Sequence, residues 1–98
     1  MNESINRLVE NFRLTIDNII SQNKPTAVGE KGSVEFIANY LKNYGEKLGN
    51  CVKEISNIGS EILKTFIEIE EGENKLLKEQ IMREINQIND KFKKKYWT

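Results

Sequence analysis

Residues 33–71 read SVEFIANYLKNYGEKLGNCVKEISNIGSEILKTFIEIEE, and the reading of this stretch decides the fold. Its apolar residues fall at Val34, Ile37, Leu41, Tyr44, Leu48, Cys51, Ile55, Ile58, Ile62 and Ile69, in steps of three and four, with Phe66 filling the beat missed at Thr65. A side chain returns to the same face of an α-helix every ~3.6 residues, so the spacing predicts one long amphipathic helix with a narrow apolar seam. At ~1.5 Å per residue that helix is about 58 Å long. A seam of that length must face other helices.

Upstream, Ile5, Leu8, Val9, Phe12, Ile16, Ile19 and Ile20 form one stripe, with Arg7, Glu10, Arg13 and Asp17 on the other side. This predicts a first helix over about residues 3–21, capped by Asn2 or Ser4. Leu14 lies off the stripe and is expected at the surface or against a partner. Residues 22–32 break the pattern with Asn23, Lys24, Pro25, Thr26, Gly29 and Gly32, and Pro25 disfavours helix at Lys24. Ser33 is the expected N-cap of the second helix, and Glu35 in its first turn suits the positive end of the helix dipole. Ala27-Val28 is placed to pack back over the turn. The expected fold is all-α: an antiparallel helical hairpin with a long second helix, over about residues 33–71, and a C-terminal helical extension, in one domain spanning residues 1–98.

Gly45, Gly49 and Gly59 lie inside the second helix, where each costs about 1 kcal/mol relative to Ala. They are expected to mark places where a neighbouring backbone comes close. Gly45 and Gly49 have the G-x-x-x-G spacing of membrane helix pairs, but Glu46, Lys47 and Lys53 around them exclude a bilayer. A tight crossing of water-exposed helices is the better account. Beyond Gly72, Leu76, Leu77, Ile81, Ile85, Ile88 and Phe92 resume a helical stripe over about residues 73–95. Its phase allows either one continuous helix or a third helix folding back.

The first helix, about 30 Å long, is expected to cover the second only from Val34 to about Val52. Ile55, Ile58, Ile62, Phe66 and Ile69 lie beyond it, and leaving each in water forgoes about 1.5–3 kcal/mol. Either residues 73–95 fold over them or another chain does, and both hold where a partner completes the bundle. On the second alternative these five are partner-binding residues, which favours a helical adapter over an enzyme.

Composition narrows the function classes further. The chain has 15 basic and 15 acidic residues, so no global field draws it to nucleic acid. It has no His, which removes the usual general base and the commonest zinc ligand. Cys51 is the single cysteine; it sits on the seam and reads as a core residue. The N-terminus carries no basic leader, and no apolar run approaches the ~18 residues of a membrane span, so synthesis in the cytoplasm without a cleavable Sec signal is expected. Glu68, Glu70, Glu71 and Glu73 lack the loop spacing of a calcium site and read as a solvated acidic turn. No strand leads into a glycine-rich loop, so nucleotide binding is unsupported. The Lys91–Lys95 cluster with Phe92, Tyr96 and Trp97 reads as basic residues complementing a helix C-terminus, with Trp97 at a frayed end. No cofactor or metal is expected.

The hairpin of this size, its Gly-containing turn, and an aromatic-x-x-x-acid pair late in the second helix resemble the Esx/WXG superfamily of type VII secretion substrates of Gram-positive bacteria. The Trp-x-Gly turn motif of that superfamily is absent: the turn reads Pro25-Thr26-Ala27-Val28-Gly29-Glu30-Lys31-Gly32. The chain is more similar to the LXG-associated α-helical proteins, which also lack that Trp and carry a Phe-x-x-x-Asp export motif. Phe66-Ile67-Glu68-Ile69-Glu70 fits it with Glu for Asp. The resemblance covers about residues 5–71. It implies a non-enzymatic adapter, or targeting factor, that binds the N-terminal helical domain of an LXG toxin. A second small helical partner would join, and the type VII secretion ATPase would receive the complex. Export without a Sec signal is implied too, with Phe66 entering a pocket and Glu70 making a charged contact one turn on. The alternative is a self-assembling helical protein of a phage or mobile element, whose seam is a homo-oligomer interface. A basic-tailed nucleic-acid accessory is disfavoured by the neutral charge.

Overall fold

The computed structural model describes residues 3–65 and 71–97, and among these the secondary structure is entirely helical. The helices are α1 (Glu3–Gln22), α2 (Val34–Thr65), α3 (Glu71–Asn86) and α4 (Ile88–Tyr96). α3 and α4 are one helix bent at Gln87, whose amide donates to the Glu84 carbonyl in a tightened turn at 3.2 Å before Lys91 N to Gln87 O resumes the α pattern at 3.0 Å. The architecture is therefore three helices, the last bent.

Ile19 lies at Cys51, whose Sγ is 3.9 Å from the Ile19 carbonyl, and the tip of Phe12 lies at Gly59. The two helices thus run in opposite directions. The bent third helix runs alongside α1 in the same sense. Arg13 pairs with Glu84, Lys91 Nζ lies 3.6 Å from Asp17, and Tyr96 Oη donates to the Ile20 carbonyl at 2.7 Å. Against α2 it places Ile81 and Ile85 at Gly59 and Phe92 at Tyr44. The core gathers the α1 stripe (Ile5, Val9, Phe12, Ile16, Ile19, Ile20) with Cys51 and Ile55 of α2 and with Leu77, Ile81, Ile88 and Phe92. The long axis is 56 Å, against 19 and 16 Å across.

The path of residues 23–33 sets this register. Asn23 closes α1, its side-chain amide donating to the Ile19 carbonyl at 2.8 Å. Pro25 is buried, and the chain then follows α2, with Thr26 N donating to Asn43 Oδ1 at 2.7 Å. Only at Gly29 and Gly32, whose φ angles of 109° and 91° suit glycine, does it turn into Ser33. The Ser33 hydroxyl caps α2 as expected, accepting from Phe36 N at 3.1 Å. Val28 stays 68% exposed and does not cover the turn.

A connection laid along α2 moves α1 toward the far half of that helix, by about 20 Å relative to an immediate turn. The expected coverage is corrected accordingly. Ile55 is fully buried in the chain's own core, so it is not a surface for a partner; Ile58 and Ile62 are half-buried and pack against that core. Of the residues expected under α1, Cys51 is buried against it, but the first ones are open: Val34 is 84% exposed, Ile37 51% and Leu41 47%. The third helix folds back, which decides between the two alternatives for residues 73–95.

Candidate interaction surfaces on the second helix

Three features of α2 and its neighbours bear on function: a strip along its first half, an aromatic clasp beside that strip, and a groove at its far end.

At about 100° per residue, Val34, Ala38, Leu41, Gly45, Gly49 and Val52 fall within an arc of about 80° on α2. All six are exposed, and a Cβ added at Gly45 or Gly49 would meet nothing within 4 Å. The close approach expected at these two glycines is therefore not made among the described residues. Gly59 is different: a Cβ there would lie 3.1 Å from Ile85 Cδ1, 3.2 Å from Ile81 Cγ2 and 3.5 Å from Phe12 Cζ. It is the crossing point of the bundle, reached by side chains and not by backbone.

The aromatic clasp holds α4 against α2. Tyr44 meets Phe92 and Trp97 edge-on at centroid distances of 5.0 and 5.3 Å, and Phe92 meets Tyr96 at 4.8 Å. Tyr40 donates its hydroxyl hydrogen to the Tyr96 carbonyl. Trp97 is thus packed at 47% exposure, not frayed. Burial pushes the Tyr44 and Tyr96 phenols up from their ordinary range. Lys95 Nζ donates to Ser21 Oγ at 2.6 Å, and Lys91 pairs with Asp17, so two of the C-terminal lysines tie α4 to α1.

At the far end, Ile58 and Ile62 line a shallow groove with Asn57, Glu61 and Thr65. Phe66, Ile69 and Glu70, the remaining partner-binding and export-motif residues of the sequence reading, lie outside the described residues.

The sequence reading missed Glu84, which is 2% exposed among the apolar residues of α3 and pairs with Arg13. The pair raises the Arg13 pKa, first through the hydrogen bond to Glu84 and then through its charge. Glu84 lies three residues after Ile81 and four before Ile88, the helical spacing that turns it to the same inward face. Cys51 is buried, and desolvation pushes its thiol pKa up, with Glu54 adding to the effect, the opposite of an activated nucleophile. Among the described residues no group of three or more His, Cys, Asp or Glu is placed to hold a metal ion, and no helix is long and apolar enough to cross a membrane.

Fold and surface together define a small three-helix protein whose central helix keeps apolar surface in the open. Comparison with protein-family models, curated proteins and solved structures finds no match.

Proposed function

We propose that this chain is a non-enzymatic helical adapter that binds the N-terminal helical domain of an LXG toxin and promotes its export by type VII secretion. The observation that carries the reading is the groove of Ile58 and Ile62, half-open on α2 just before the Phe66-x-x-x-Glu70 motif. A client helix laid there would bury the exposed remainder of both isoleucines, one turn apart on one face. Phe66 and Glu70, the export-motif pair, would be left for recognition by the secretion ATPase. A second small helical partner would complete the bundle. The resemblance to LXG-associated proteins names the client; the geometry supports docking over chemistry.

The test is co-expression with an LXG toxin encoded beside this chain. Wild type is expected to co-purify with the toxin, and Ile62→Asp to lose it while keeping its helical circular dichroism. Phe66→Ala is expected to retain the complex and lose export. Undiminished complex with Ile62→Asp, or undiminished export with Phe66→Ala, refutes the reading. Self-assembly, the other reading, draws on the open strip of α2.

A further inference from the structure

We propose that the strip Val34–Val52 is the interface of an antiparallel homodimer, in which α2 of one copy crosses α2 of a second copy over Gly45 and Gly49. The inference uses a surface separate from the toxin groove and does not rest on the toxin reading.

Two helix-interior glycines facing open space are unfavourable in an isolated chain, since Ala in their place costs nothing sterically and favours helix. They are accounted for if another helix comes closer than a Cβ would allow. The flanking residues choose that helix. Ile37 and Leu48 border one side of the strip; Glu35, Lys42, Glu46 and Lys53, all exposed, border the other. A second copy turned over about a twofold axis near residue 43 sets Val34 against the partner's Val52 and Leu41 against the partner's Gly45. The same rotation sets Ile37 against the partner's Leu48 and Ala38 against the partner's Gly49. In that register Glu35 faces the partner's Lys53. A twofold axis of this kind brings the same border of each helix together, so every pair occurs twice. Bulk meets glycine and Glu35 meets the partner's Lys53 in one register, while Lys42 lies between the partner's Glu46 and the partner's Lys42, each offset by about 3 Å along the axis. A self-complementary pattern on one helix face is the requirement of an isologous interface.

The strip is about 27 Å long on a helix about 10 Å wide, smaller than the ~800 Å² per partner of a standard interface. The dimer is accordingly expected to be weak, with Kd from about 1 μM to a few hundred μM. Trp97, the single tryptophan, packs on Tyr44 beside the strip and serves as an internal probe.

Sedimentation equilibrium on the full chain from about 1 μM to about 1 mM tests the proposal over the expected range of Kd. A monomer–dimer equilibrium is expected, with a blue shift of Trp97 emission as dimer forms. Leu41→Glu should weaken it by roughly 10- to 100-fold or more, while melting as wild type does in dilute solution. Gly45→Ala with Gly49→Ala should raise the melting temperature of the dilute monomer yet weaken the dimer, a split that a purely structural role of the glycines does not produce. Glu35→Lys should weaken the dimer and Lys53→Glu added to it should restore affinity. A chain monomeric to 1 mM, a dimer indifferent to Leu41→Glu, or a double glycine variant that dimerises as tightly as wild type overturns the proposal. If instead the strip variants abolish toxin binding while the chain stays monomeric, the strip belongs to a heterologous partner and the proposal is again overturned.

Discussion

One substitution made at two places separates the bundle's internal crossing from its open face. Gly→Ala at position 45 adds a methyl group that meets nothing within 4 Å, whereas at position 59 the same methyl lands 3.1 Å from Ile85 Cδ1 and 3.2 Å from Ile81 Cγ2. Both changes gain the same helix propensity, about 1 kcal/mol, so it cancels in their difference. What remains is the overpacking at Gly59, where Ile81 is fully buried and its Cγ2 is fixed directly on a branched Cβ. Ordinary carbon contacts lie at ~3.5–4.0 Å, so the neighbours must retreat by a few tenths of an ångström, a change that typically costs about 1–3 kcal/mol. Gly45→Ala is expected to be more stable than wild type by up to about 1 kcal/mol. Gly59→Ala is expected to fall below Gly45→Ala by about 1–3 kcal/mol, or roughly 4–20 °C in melting temperature. Urea unfolding followed by circular dichroism, at concentrations low enough to keep the chain monomeric, measures the difference. A Gly59→Ala protein as stable as Gly45→Ala would show that the third helix does not cross there, and the three-helix packing would be wrong.

Other expectations follow from single contacts. Ser33→Ala removes the acceptor for Phe36 N and should lower stability by about 0.5–2 kcal/mol in the same unfolding assay, with Ser33→Asp recovering most of it. Arg13→Ala leaves the buried Glu84 carboxylate without its cation and should destabilise by about 1–2 kcal/mol, less than a fully buried pair because Arg13 itself is 44% exposed. Replacing both by Met and Leu should recover that loss, which a double-mutant cycle reads directly. At alkaline pH, Cys51, Tyr44 and Tyr96 all have pKa values raised by burial above their ordinary 9.0, 10.0 and 10.0. The unfolded chain then loses protons before the folded one, so stability present below pH 9 should fall as pH rises through 9 to 10 and beyond. Cys51→Ala should remove the earliest part of that decline in a pH series of urea midpoints.

Much of this molecule was legible as periodicity. The α1 stripe from Ile5 to Ile20 is the buried face of that helix, Leu14 stands outside it at 55% exposure, Cys51 is core and Ser33 is a cap. Each of these depends on the angle at which a residue leaves its own helix, and an angle is carried by spacing alone. Glu84 went unnoticed because charge marks a residue as solvated unless a partner is known, and its partner lies on α1. The open glycines were read as evidence of a crossing, and only contacts distinguish Gly59, which has one, from Gly45 and Gly49, which among the described residues do not.

By itself, then, the order of residues determined that the chain is helical and which side of each helix is apolar. Which stretch of α2 lies opposite α1 was decided by tertiary structure. The connection from Asn23 to Ser33 could have turned at once; its hydrogen bond from Thr26 to Asn43 and the burial of Pro25 keep it on α2 instead. That sliding freedom along the axis is invisible to a repeating pattern, because a seam with a regular repeat matches a neighbouring helix almost equally well when displaced by whole turns. The detour seals Ile55 inside and leaves Val34, Ile37 and Leu41 in water, which places the surface available to other chains at the beginning of α2 as well as its end.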